Sequence, residues 1–129
     1  MSEAKRVERP LSPFMLGSAY RIQMTSFSSI VTRITGNALG ISAILFVWWL
    51  LAAATSPEAF ARADGILTGI IGDVVMTLTA WGLWYHYLAG LRHLYWDTGR
   101  GMELRTAERL GWAVVIGSVL LTVLTIIVI

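Results

Sequence analysis

Three stretches carry no Asp, Glu, Lys or Arg at all: Asn37 to Thr55, Val74 to Leu91 and Leu110 to Ile129. Each reaches, or nearly reaches, the roughly 20 apolar residues that a helix needs to cross a bilayer core. Composition supports the same reading. Of 129 residues, 56% are hydrophobic and 14% charged, with a mean hydropathy of +0.66. A water-soluble domain of this length has too little interior to hide that much apolar surface. The sequence therefore predicts an all-α membrane protein with three transmembrane helices, at about residues 28–55, 66–95 and 107–129. Residues 1–27 form a polar N-terminal segment, and 28–129 the anchor domain.

The first apolar stretch is too long for the core of a signal peptide and lacks a cleavage site after it, so no cleaved leader is expected. The absence of cysteine excludes disulfides, thiolate metal ligands, iron–sulfur ligation by this chain and covalent haem attachment. The net charge is only +2. Basic residues sit at the edges of the apolar runs rather than in one patch, which argues against nucleic acid as a partner. Their placement sets an orientation. Lys5, Arg6, Arg9 and Arg21 precede the first span, and Arg100, Arg105 and Arg109 lie between the second and third. The Ser56 to Asp64 loop holds only Arg62. By the positive-inside rule the N-terminus and second loop are cytoplasmic, and the C-terminus lies outside.

Within the N-terminal segment, Phe14, Met15, Leu16, Tyr20 and Ile22 favour packing on a soluble partner or on the membrane surface over a bare tail. The first span carries Gly36 and Gly40, a small-xxx-small pair that admits close approach by another helix. Trp48 and Trp49 suit its outer interface, and Ser56–Pro57 ends it. Asp73 reads as an interfacial cap or ion-pair partner rather than a buried acid. Gly99–Arg100–Gly101 breaks the second helix. The third span offers only hydroxyls (Ser118, Thr122, Thr125) able to bond back to their own helix, and reads as lipid-facing scaffold.

Two residues do not fit plain scaffold. His86 lies inside the apolar run Trp81 to Leu91, where an imidazole is costly unless its nitrogens are partnered. Metal ligation suits its chemistry; a hydrogen bond across a helix interface is the alternative. The other histidine, His93, reads as an interfacial polar residue. The two are about 10 Å apart along one helix, whereas two axial ligands of one iron stand about 4 Å apart. They cannot bind the same iron, so a six-coordinate haem at His86 requires a ligand from elsewhere. Arg33 is the second anomaly. Counting from Thr25 or Ser26 puts it about 10–12 Å into the first span, and His86 lies about 13–15 Å in from Tyr95 or Trp96. Ser29 and Arg33 share a face. A hydroxyl beside a guanidinium suits a quinone carbonyl or a haem propionate, while snorkelling to the headgroups is the alternative for Arg33.

The stretch HYLAGLRHLYWDTG, His86 to Gly99, resembles the H-x-x-x-G-[IL]-R-H-x-x-x-D motif of the cytochrome b membrane-anchor subunits of succinate dehydrogenase, respiratory complex II. SSIVTRITG, Ser28 to Gly36, is similar to the family's S-I-x-H-R-x-[ST]-G, and RPLSP, Arg9 to Pro13, also fits. Thr32 stands where the family commonly has histidine, and Phe14 where histidine often follows RPLSP. The resemblance implies a heterodimeric haem-binding bundle in which His86 is an axial ligand of haem b. It places Ser29 and Arg33 at a ubiquinone site, with His93 and Asp97 in minor roles nearby. It further implies a flavoprotein subunit, an iron–sulfur subunit and a second small membrane-anchor subunit as partners; the lack of a transit-peptide pattern leads us to expect a bacterial inner membrane. Alternatives are a cofactor-free structural anchor and, less well matched to the depths of the charges, a transporter subunit with Asp73, His86 and Arg33 on one pathway.

Overall fold

The computed structural model describes residues 13–15, 17 and 20–129. The RPLSP match as far as Ser12, and with it most of the basic N-terminal segment, lies outside these residues. Four α-helices follow a short 3₁₀ turn at Pro13–Met15: α1 (Met24–Thr55), α2 (Pro57–Leu67), α3 (Ile70–Asp97) and α4 (Leu104–Val128).

α1 begins four residues before the expected onset, and hydroxyls of its second and third turns bond back to their own helix. Ser28 donates to the Thr25 carbonyl (3.1 Å) and Thr32 to that of Ser28 (2.7 Å). The expected loop after the first span is instead a helix. Ser56 both stops α1 and starts α2: its backbone is extended, its hydroxyl accepts from the Ala59 N–H (3.1 Å), and Pro57 occupies the first turn. Proline disfavours helix in the residue before it and is well placed at a helix start.

α2 and α3 meet at an angle of 71°. Gly72 permits the elbow, since a Cβ there would run into the Leu67 carbonyl. α1 and α4 are each long and apolar enough to cross a membrane; α2 and α3 pass the same test only as a bent pair, giving two spans or up to three. α3 falls short alone because Trp81, Trp84, Tyr85, His86 and Tyr87 dilute its apolar content.

α3 packs against both α1 and α4, and α2 folds against the end of α1. The pairings Ser28–Arg92 and Ser42–Thr79 make α1 and α3 antiparallel; Trp84–Thr125 and the approach of Gly111 to Arg92 do the same for α3 and α4. The core is thin. Tyr85, Ala89 and Val114 are its buried centre, flanked by Val31, Trp81, Leu88 and Val115. Much of the seam is small or hydroxylic, as when lipid supplies no hydrophobic drive and helices associate by close approach. α4 is more than lipid-facing scaffold. Its face Ala107, Gly111, Val114, Ser118 and Thr122 is buried against the bundle. Ser118, Thr122 and Thr125 do bond back to their own helix, and Thr125 also accepts from Trp84 Nε1 at 2.9 Å.

The turn between α3 and α4 needs its glycines. Gly99 and Gly101 have φ of 75° and 73°, a region costly for residues with a Cβ, and a Cβ on Gly101 would strike the Tyr95 ring. Trp96 Nε1 closes the turn on the Gly101 carbonyl at 3.1 Å.

Candidate functional site

His86 is half-buried and points from α3 onto α1. Its Nδ1 lies 3.1 Å from the Thr32 carbonyl oxygen and 3.3 Å from the Thr35 hydroxyl. Thr35 itself donates to the carbonyls of Val31 (2.9 Å) and Thr32 (3.0 Å). A carbonyl only accepts, so the Thr32 contact calls for the proton on Nδ1, which in a neutral imidazole leaves the lone pair on Nε2. This is the arrangement that holds metal-ligating histidines, whose second ring nitrogen donates to a carbonyl or carboxylate. Gly36 gives the ring its space, since a Cβ there would lie 3.0 Å from His86 Cε1. Gly40, its small-xxx-small partner, faces nothing within 4 Å. Among the described residues no group of three or more His, Cys, Asp or Glu is placed to hold a metal ion. A bare ion at His86 would therefore find at most one further side-chain ligand from such residues among those described.

Ser29 and Arg33 are on the outer face of α1, Ser29 half-buried and Arg33 exposed. On a helix of 3.6 residues per turn they lie about 20° and 60° to one side of Gly36, away from Thr32 and Thr35, beside the strip that meets His86. Neither has a hydrogen-bond or ion-pair partner among the described residues. His93 is exposed near the start of α1, with its ring edge-on to Trp96 at 5.3 Å. Asp97 ends α3, also exposed. Asp73 is exposed in the first turn of α3, where a carboxylate suits the helix dipole. The tryptophan-bound acid is instead Asp64, which accepts from Trp49 Nε1 at 3.2 Å.

A buried polar cluster beside this site escaped the sequence reading. Ser28, the neighbour of Ser29, is fully buried. Its hydroxyl accepts from Arg92 Nη1 at 2.8 Å, and its carbonyl accepts from the Tyr85 hydroxyl at 3.2 Å. The Arg92 guanidinium lies over the Trp96 ring, 4.7 Å from its centroid. The available signal was the spacing Gly82, Tyr85, Ala89, Arg92. That stripe forms the buried face of this half of α3, so an arginine in register with it points inward.

Among the described residues the elements are helices, with two and up to three spans long and apolar enough to cross a membrane, which defines a membrane-embedded helix bundle. Residues 5–125 match the family model of the succinate dehydrogenase/fumarate reductase transmembrane subunit, and the chain belongs to this family. It is 48% identical over 128 residues to the succinate dehydrogenase cytochrome b556 subunit of Paracoccus denitrificans, covering 99% of this chain and 97% of that one. The cytochrome b556 subunit of Rickettsia conorii is 38% identical over 117 residues, 91% of this chain and 90% of that one. The cytochrome b560 subunit of Reclinomonas americana is 32% identical over 111 residues, 82% of this chain and 76% of that one. The chain is thus similar to the cytochrome b anchors of complex II.

Proposed function

We propose that the chain is the larger membrane-anchor subunit of a succinate:quinone oxidoreductase, in which it holds haem b and shares in the site of quinone reduction. The observation that carries this reading is the His86 ring. Its Nδ1 proton is engaged by the Thr32 carbonyl (3.1 Å), so Nε2 is the nitrogen available to iron. His93 is too far along the helix to serve the same iron. Haem b would be held by His86 together with a residue of a second small membrane-anchor subunit, as the family resemblance implies. Bound there, haem b supplies one-electron redox chemistry, its potential set by axial ligands and burial.

The residues of this chain bind and orient the quinone. Ser29 donates a hydrogen bond from its hydroxyl to a quinone oxygen. Arg33 offers a guanidinium to the negative charge that develops as the quinone is reduced, or to haem propionates. His93 and Asp97, exposed at the same end, have minor roles. α1, α3 and α4 cross the bacterial inner membrane, with the start of α1 and the α3–α4 turn on the cytoplasmic side. There the flavoprotein and iron–sulfur subunits dock and deliver electrons from succinate. The quinone is ubiquinone.

Reduced-minus-oxidised spectra of the purified complex test the haem assignment. His86→Leu is expected to abolish a low-spin b-type signal that the unaltered complex shows. An intact complex without haem would leave a cofactor-free anchor, with the Thr32 and Thr35 contacts merely satisfying a buried imidazole. For the quinone site, Arg33→Leu is expected to cut quinone reduction by about tenfold or more. Succinate oxidation by an artificial soluble acceptor should continue in that variant. Equal loss of both activities would assign Arg33 to assembly instead.

A further inference from the structure

Arg92 is 4% exposed, inside a helix bundle whose described residues offer it no carboxylate. Among the described residues its partners are the Ser28 hydroxyl and the face of Trp96, and its Nε is buried without a hydrogen bond. Removing a guanidinium from water this incompletely compensated is unfavourable, and a charge in a membrane helix calls for a function by default. What it does hold is specific. Ser28 is gripped from α3 at two points: Arg92 takes its hydroxyl (2.8 Å) and Tyr85 its carbonyl (3.2 Å). Tyr85 and Arg92 are seven residues apart, about two turns, so they reach α1 from one face. Across the bundle a Cβ on Gly111 of α4 would come within 3.8 Å of Arg92 Nη1 and 2.9 Å of Met24 Cγ. All three long helices therefore meet around this one guanidinium.

We propose that Arg92 is a positioning residue for quinone reduction: by pinning Ser28 it sets the rotation of α1, and with it the directions in which Ser29 and Arg33 face the quinone. Ser29 is the next residue, and Arg33 follows one turn later. Loosening Ser28 lets this end of α1 rotate about its axis, and the polar pair on its outer face moves with it. Displacements near 1 Å are enough to matter for a bound reactant. The inference rests on the assignment of Ser29 and Arg33 to the quinone site.

The test uses the assembled complex carrying Arg92→Gln, Arg92→Lys, Ser28→Ala or the Arg92→Gln/Ser28→Ala pair. Arg92→Gln and Ser28→Ala should each raise the KM for quinone by about tenfold. The haem spectrum and succinate oxidation by a soluble acceptor should stay at the unaltered level. The double variant should be no worse than the more affected single one, since both changes remove one contact. Arg92→Lys, which keeps a donor and the charge, should recover much of the loss. An unchanged KM, or effects that add in the double variant, would overturn the proposal. If Arg92→Gln does not assemble, Ser28→Ala decides alone, and an unaltered KM there is fatal. Arg33→Leu separates the two assignments. Impaired quinone reduction in Arg33→Leu beside unaltered Arg92 and Ser28 variants removes only the positioning role. Normal quinone reduction in Arg33→Leu removes the site and the positioning role together.

Discussion

The two ends of the bundle are built on different terms. Where α1 begins, polar groups are buried and paired: Ser28 with Arg92 and Tyr85, and one turn further in, Thr32 and Thr35 with His86. Where α1 ends, helices α1, α2 and α3 surround a cavity of about 740 Å³ lined by Leu45, Phe46, Leu67, Met76 and Leu83 among others. The polar contacts there are sparse: Ser42 with Thr79 at 2.9 Å, and Trp49 with Asp64 at 3.2 Å. In lipid, apolar walls cost nothing to expose, whereas every unpaired polar atom does. The chain therefore closes tightly only where it must satisfy polar groups. Of those groups the proposed chemistry uses His86 itself, and Ser28 and Arg92 stand behind the neighbouring Ser29 and Arg33.

Gly36→Val should break the ordered end most severely. The added Cβ alone would lie 3.0 Å from His86 Cε1, and its two methyls add to that. Overpacking of this kind costs about 1–3 kcal/mol. The ring must turn away from the Thr32 carbonyl, and the tautomer that exposes Nε2 is no longer enforced. Haem content per assembled complex, read from the reduced-minus-oxidised signal, should fall several-fold. Gly90→Ala, on the same helix as His86 and facing nothing within 4 Å, should retain its haem. Full haem occupancy in Gly36→Val would mean that the Thr32 contact does not govern the ring.

Tyr85→Phe tests the same end more gently. It removes one interhelical hydrogen bond, but the Ser28 carbonyl keeps the Thr32 hydroxyl at 2.7 Å, so no acceptor is stranded. Interhelical bonds in membranes average about 0.6 kcal/mol. The complex should lose a little thermal stability in detergent and keep its haem spectrum. A loss comparable to that of Gly36→Val would show that the grip on Ser28 stabilises the whole bundle.

The contrast between the ends also marks what the sequence discloses. α1 and α4 were legible because long charge-free runs leave a chain few options. His86 stood out for the same reason, as a polar residue in an apolar run. α2 was not legible, although its signals were present. Ser56–Pro57–Glu58 is a cap, a first-turn proline and a first-turn acid, but after an apolar span the same residues read as a stop. Arg92 was hidden by its position five residues before the end of α3, where a long basic side chain ordinarily reaches back to water. Only the three-dimensional stripe with Tyr85 and Ala89 turns it inward. The Thr32 carbonyl that orients His86 belongs to the backbone, which no residue type reveals.

At the open end the smallest effect is expected, and it is the sharpest check on the comparison. Trp49 stacks on Phe46 (6.2 Å) and packs against Phe60 (5.6 Å) while donating to Asp64. Trp49→Phe keeps an aromatic ring between these neighbours and removes the indole donor with part of the ring's bulk. Asp64 is half-exposed, so water can replace that donor and little free energy is lost, about 0.5 kcal/mol or less. α2 should loosen from α1, seen as faster hydrogen exchange of its amides, while haem content and the quinone KM stay put. The elbow at Gly72 limits how far this loosening travels, because α3 is held independently by Ser42, Thr35 and Ser28 of α1. If Trp49→Phe shifts the haem spectrum or the quinone KM, the two ends are coupled through α3. The division into a polar end that positions chemistry and an apolar end that does not would then be wrong.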